Sequence, residues 1–216
     1  MENQKGLINE RARPYPMRLD DIRQVYTDYA GRYEKEFTGA RKYTAYKRLP
    51  RLLMRELKVQ RARILDLGCG TGLSSLLFFG KGYEVTGIDI TRAMIRLARR
   101  LPYAKLICQD LEKPLKVEDG YFDAVVMIGV MEHIDDPPAL MKEVRKKLRR
   151  GGLFALTLPC KNSHLSDYGL KNYYKKDVES LMREAGLKVV QAEKRFGYED
   201  NGASVYYWNY LLRKTS

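Results

Sequence analysis

The stretch Ile64-Leu65-Asp66-Leu67-Gly68-Cys69-Gly70-Thr71-Gly72 constrains the fold more than any other part of the chain. A short strand-like run passes without a break into a turn with glycine at every second position, and an apolar helical pattern follows. Glycine at such density lets the backbone take left-handed conformations and come close to a ligand. Strand, glycine turn and helix in that order open a βαβ unit, and doubly wound sheets bind their ligands at the carboxyl edge where these turns lie. A GxGxxG dinucleotide turn needs glycine at position 73, where this chain has Leu73. Asp66 inside the strand is equally misplaced for a pyrophosphate, because it sets negative charge beside negative charge. It suits a cationic ligand better.

The rest of the chain repeats this texture. Strand patterns are expected at Tyr83 to Ile88, Ala104 to Gln109, Phe122 to Ile128 and Phe154 to Leu158. Helices are expected over Gly72 to Phe79, Arg92 to Leu101 and Lys175 to Ala185, with another opened by Asp136, Pro137 and Pro138 and closed by Gly151 and Gly152. Strands alternating with helices give an α/β, Rossmann-like, doubly wound and mainly parallel sheet. Two final β segments, Leu187 to Lys194 and Ala203 to Leu211, have no helix between them and should pair as an antiparallel edge hairpin, making seven strands. Residues 1–60 read instead as helical: Ile22, Val25, Tyr26, Tyr29, Ala30 and Tyr33 recur on one helix face, and Tyr43, Tyr46, Leu53 and Leu57 mark a second helix near Pro50. This segment is expected to act as a lid on one domain that continues over residues 61–216.

Composition narrows the class. Apolar residues at 44% with charged residues at 31% describe a globular rather than a disordered chain. The longest apolar run, Ala124 to Met131, is far short of the roughly 20 residues of a bilayer-spanning helix. The first residues, MENQKGLINERARPYP, lack the apolar core of a secretory leader, so a cytoplasmic address is expected. Cys69, Cys108 and Cys160 are widely spaced with no CxxC pair, which indicates neither disulfides nor a zinc knuckle. The net charge of +13 raises the question of nucleic acid. The basic run Lys142, Arg145, Lys146, Lys147, Arg149 and Arg150 reads as a solvated face at the end of a helix pointing away from the site, and Arg96, Arg99 and Arg100 are read the same way.

Two further carboxylates stand at the ends of the next strands. Asp89 closes Val85-Thr86-Gly87-Ile88-Asp89, where an acid can take both hydroxyls of a ribose, and Asp110 follows Gln109, where an acid can accept from an exocyclic amine of adenine. Together with the glycine turn they form one extended site.

At this point the sequence resembles the class I S-adenosylmethionine-dependent methyltransferases over about residues 60–195. ILDLGCGTG, VTGIDI, QDLE, YFDAVVMIGVMEHIDD and LRRGGLFALTLP stand in that family's order and spacing. It is most similar to the broad group containing the ubiquinone and menaquinone biosynthesis methyltransferases. The resemblance implies S-adenosyl-L-methionine as cofactor, with Gly68 and Gly70 holding its methionine part and Asp66 nearby. It also implies Asp89 on the ribose, Ile90 packed on the adenine, Asp110 and Leu111 at the adenine edge, and Ile128 beside the sulfonium.

Methyl transfer needs in-line placement in a dry pocket, and a base only where the nucleophile must lose a proton. Glu132 and His133 are the candidates; packing at a helix entry, base and metal ligand are the three readings open to them. Relatives with a metal carry Glu-x-x-Glu-His here, but Gly129 stands for the first glutamate, so no metal is expected unless His164 swings in. Cys69 reads as a packed loop residue. Tyrosines of the N-terminal helices, with Tyr168, Tyr173, Tyr174, Tyr206 and Tyr207, either face a planar acceptor or fill the seam below the lid; Tyr29 and Tyr33 are expected to touch ligand. The expected function is methyl transfer to a small planar or aromatic molecule by a monomer or homodimer. An RNA methyltransferase, and an inactive cofactor-binding protein acting through a partner, are the alternatives.

Overall fold

The computed structural model describes residues 19–41, 43–161, 165, 170–200 and 202–215. Seven strands form one sheet: β1 (Arg63–Leu67), β2 (Glu84–Asp89), β3 (Lys105–Cys108), β4 (Phe122–Met127), β5 (Leu148–Pro159), β6 (Leu187–Asp200) and β7 (Ala203–Lys214). Their order is β3-β2-β1-β4-β5-β7-β6. The first five run parallel, and β7 and β6 add an antiparallel hairpin at the edge, as the missing crossover helix requires. The order reverses between β1 and β4, which marks the point where such sheets open a crevice at their carboxyl edge.

The helices are α1 (Leu19–Tyr29), α2 (Tyr33–Lys35), α3 (Ala45–Glu56), α4 (Leu76–Phe79), α5 (Arg92–Ala98), α6 (Pro137–Lys147) and α7 (Lys175–Glu184). Strand side chains alternate between the two faces. Ile64, Val85, Ala124 and Val126 pack with Leu49 and Leu53 of α3 and Phe78 of α4, while Leu65, Leu67, Val125, Met127 and Leu156 pack with Leu140, Met141 and Val144 of α6 and with Val178 and Met182 of α7. Among the described residues no helix is long and apolar enough to cross a membrane.

Three local expectations need correction. The Gly151-Gly152 pair does not close α6, which ends at Lys147; the chain is already extended at Leu148, and Gly151 (φ +71) lies in the irregular start of β5, where pairing slips between Phe122 and Ala124. Lys147 is not solvated. It is 6% exposed and bridges Asp119 at 2.6 Å and Glu143 at 3.1 Å, so its place on a basic run hides a paired charge. Arg149 lies on β5 rather than at a helix end and bonds Asp123, which also accepts from the Arg63 amide and so ties β1, β4 and β5 at their amino ends. Asp136 does cap α6, accepting from the Ala139 amide at 3.0 Å ahead of the prolines.

Candidate active site

Local backbone chemistry builds the floor of the site. Gly68 and Cys69 both donate their amides to the Ile88 carbonyl, which folds the chain after β1 back against β2. Gly68, Gly70 and Gly72 take φ values of +67°, +53° and +99°, conformations that side chains resist. Their surroundings differ. A Cβ on Gly68 would lie 2.2 Å from Val130 Cγ2, whereas a Cβ on Gly70 would meet no protein atom within 4 Å. Gly70 therefore borders open space that a ligand can fill.

Gly68→Ala is expected to lower stability by about 2–4 kcal/mol in urea unfolding, from left-handed strain plus the clash with Val130. Gly70→Ala should cost only the strain, about 1–2 kcal/mol, yet block ligand binding. Equal losses in both variants would mean that the two glycines serve only as turn residues.

Asp66 lies behind this turn. Its Oδ2 accepts from Ser74 and Ser75, each at 2.7 Å, and from Tyr103 at 3.3 Å, which fixes the entry to α4. Burial raises its carboxyl to about 6 against those hydrogen bonds. Cys69 is buried too, and burial pushes its thiol up, in keeping with a packed loop residue.

In front of the turn a cavity of about 710 Å³, counting its mouth, is bordered by Gly68, Gly70, Asp89, Ile90, Asp110, Leu111 and Ile128. Thr91, Met94, Glu112, Gly129, Val130, His133 and Ile134 complete its walls, and Leu19, Ile22, Tyr26 and Tyr33 roof it. Asp89 is 9% exposed and holds the turn, its Oδ2 accepting from the Gly70 amide at 2.9 Å and its Oδ1 from the Thr91 amide at 2.8 Å. Burial raises its carboxyl above the ordinary range. Asp110 accepts from the Glu112 amide, and Glu112 in turn accepts from the amides of Asp135 and Asp136, so the ends of β3 and β4 are joined along one rim. A second, smaller space adjoins across Tyr33, Gly68, Gly70 and Ile128, walled by Phe37, Tyr43, Tyr46, Thr71 and Ser74.

Glu132 and His133, neighbours in the chain, part company in space. His133 borders the large cavity, its Nε2 hydrogen-bonded to the Tyr26 hydroxyl at 3.0 Å with the rings edge to face. Glu132 turns away into the core. Its Oε1 accepts from Tyr207 at 2.9 Å, Oε2 has no hydrogen-bond partner among the described residues, and burial raises the carboxyl to about 7. Gly129, standing where metal-binding relatives carry glutamate, has φ +68 and donates its amide to Thr157, a conformation that a glutamate would resist. His164 and Tyr168 lie outside the described residues.

The tyrosines divide. Tyr33 borders both spaces, but Tyr29 borders neither: it is buried, donates to Glu36 at 2.6 Å and packs against Tyr33 and Phe37. Tyr26 takes the place expected of Tyr29. The helix ends at Tyr29 and the chain turns over Ala30 to Arg32, so the periodicity that suggested a continuous face stops there. Tyr174 and Tyr206, 50% and 41% exposed, are surface residues rather than lid, while Tyr173 donates to the Met131 carbonyl and fixes the turn after β4.

A doubly wound sheet with a glycine turn and two strand-end acids on one apolar-walled cavity defines a class of small-ligand α/β enzymes. A family model described as a methyltransferase domain matches residues 38–192, and the chain belongs to that family. Curated relatives include the ubiquinone biosynthesis O-methyltransferase of Xanthomonas oryzae, 35% identical over 103 residues, covering 45% of this chain and 43% of that protein. The chain thus matches less than half the length of these relatives. Among solved structures, the 1,6-didemethyltoxoflavin-N1-methyltransferase of Burkholderia thailandensis, bound to 1,6-didemethyltoxoflavin and S-adenosylhomocysteine, aligns with a TM-score of 0.69 and 18% identity over 96% of this chain and 94% of its own. The magnesium protoporphyrin IX methyltransferase of Synechocystis, bound to S-adenosylhomocysteine, aligns with a TM-score of 0.71 and 15% identity over 90% of this chain and 98% of its own. At these identities the likeness is one of fold.

Proposed function

We propose that the chain is an S-adenosylmethionine-dependent methyltransferase acting on a small planar acceptor. One observation carries the reading: the turn after β1, Asp89 at the end of β2 and Asp110 beyond β3 converge on one cavity. The residues present fit the cofactor. Gly70 borders open space, and the Asp89 carboxylate, which borders the same cavity, is an acceptor suited to ribose hydroxyls. Asp110 and Leu111 would meet the adenine edge, Ile90 its face, and Gly68 with Ile128 the reacting end; Asp66 acts through the turn it anchors.

When bound, the cofactor supplies an electrophilic methyl group on a sulfonium. The chain's own contribution is to exclude water with Leu19, Ile22, Tyr26 and Tyr33, which supports a lid among residues 19–60, and to take up a proton at His133 Nε2. The planar acceptors named for the two solved neighbours support this substrate class.

The net charge of +13 favours RNA as a rival acceptor. Radiolabelled methyl transfer from S-adenosylmethionine into a cell extract separates the two. Label is expected in the solvent-extractable fraction; label in acid-precipitable RNA, with steep salt dependence, would replace the small-molecule reading.

A further inference from the structure

Strand β6 ends the sheet, and its outer edge is bare. Its inner edge pairs with β7, and among the described residues no strand lies beyond it. From Lys188 to Phe196 every residue is exposed except Glu193, which is partly buried, so both faces as well as the edge meet solvent there. Of the six large apolar side chains exposed among the described residues, four stand on this hairpin: Val189, Val190, Phe196 and Tyr206. A long bare edge is a template for another strand, and natural sheets blunt it with bulges and charges. Here the bulges fall at Val190 and Gly197, where the pairing with β7 shifts, and they leave Gln191 to Phe196 regular between them. The charges in that window, Glu193, Lys194 and Arg195, stand in an order that complements itself when the strand is reversed.

We propose that the outer edge of β6 docks β6 of a second copy of this chain, antiparallel about a two-fold axis at the level of Lys194, so that the two sheets become one. Residues opposite each other in an antiparallel pair share a face, so the axis must stand at the level of a residue and not between two. At Lys194 it sets Glu193 opposite Arg195 of the second copy, and Ala192 opposite Phe196 of the second copy, each pair occurring twice. Opposite charges and apolar contacts at such positions favour pairing. At Glu193 the axis sets acid against acid, at Arg195 arginine against arginine, and at Ala192 the pairing runs into the Val190 bulge after one step. Lys194 does meet its own copy at the axis, but its Nζ lies 5.0 Å from the centroid of the Tyr206 ring on β7, away from the edge. Within one copy Glu193 already bridges Arg48 and Arg195, at 3.1 Å and 2.8 Å, which holds both charges of the pair on one face. The docking also fixes the hairpin whose Tyr198 and Tyr207 pack with Ile22 and Tyr43 below the roof.

The test is the oligomeric state of the full chain and its response to charge reversal. Sedimentation of the wild type over a concentration series is expected to show a monomer–dimer equilibrium. Glu193→Arg sets arginine against Arg195 of the second copy, and Arg195→Glu sets acid against Glu193 of the second copy. Each variant alone should weaken the dimer at least about tenfold. Mixed in equal amounts, the two variants bring opposite charges together at both positions of a heterodimer, and the dimer should return, read through a fluorescent label on one of them. Circular dichroism checks that each variant is folded. A wild type that stays monomeric at every concentration would overturn the proposal. So would a dimer that neither single variant weakens, which places the interface elsewhere, or one that mixing fails to recover, which refutes the register.

Discussion

Asp89→Ala is expected to weaken S-adenosylhomocysteine binding by about 10²–10⁴-fold, because it removes two charge-assisted acceptors of about 1.5–3 kcal/mol each. Calorimetric titration reads this directly. The fold should change little. The substitution leaves the Gly70 and Thr91 amides without their acceptor, but it also removes a buried carboxylate whose raised pKa records unfavourable desolvation. These two effects oppose each other, so the urea midpoint should move far less than the affinity. Asp89→Asn keeps one carbonyl acceptor for the turn and should lose only about tenfold. Retention of affinity within about threefold in the alanine variant would mean that the acid at the end of β2 serves the turn and not a ligand.

Stability is expected to fall as pH rises from about 4.5 to 7, and Glu132 should account for much of the fall. Its carboxyl stands near 4.5 when exposed and is raised to about 7 by burial, so between these values the folded chain binds a proton that the unfolded chain has released. The stabilisation is complete below 4.5 and is lost as pH passes 7. A displacement of this size corresponds to about 3 kcal/mol. Asp66, raised to about 6, adds a loss of the same sign over a lower window. Glu132→Gln keeps an acceptor for the Tyr207 hydroxyl while removing the titration. Urea unfolding at pH 5 and pH 8 should therefore differ much less in this variant than in the wild type. An unchanged difference would show that Glu132 is already ionised in the folded chain.

Features that depend on neighbours in the chain could be read without coordinates. A strand shows as an apolar run, a positive φ as glycine, and a helix start as Asp136 before two prolines, because each is set within a few residues. The strand-end acids could also be assigned, since side chains just past a parallel strand emerge at its carboxyl edge whatever packs around them. Where local rules met packing, they failed in instructive ways. The Gly151-Gly152 pair has the composition of a helix end, yet the demands of pairing with β4 draw the chain into β5 from Leu148 onward. Lys147 has the composition of a solvated face, yet Asp119 and Glu143 make its burial affordable.

The sequence alone determined the doubly wound sheet, its edge hairpin and the carboxyl-edge position of Gly68, Gly70, Asp89, Asp110 and Ile128. Tertiary structure alone decided which aromatic and acidic groups face the cavity. Tyr26 meets His133 across 107 positions of chain, and Tyr207 withdraws Glu132 from the cavity across 75. The turn at Ala30 to Arg32 turns Tyr29 towards Glu36. No periodicity encodes such pairings, because they arise where a roof helix and a late antiparallel strand are carried onto the same sheet edge, and only the packed chain sets those separations.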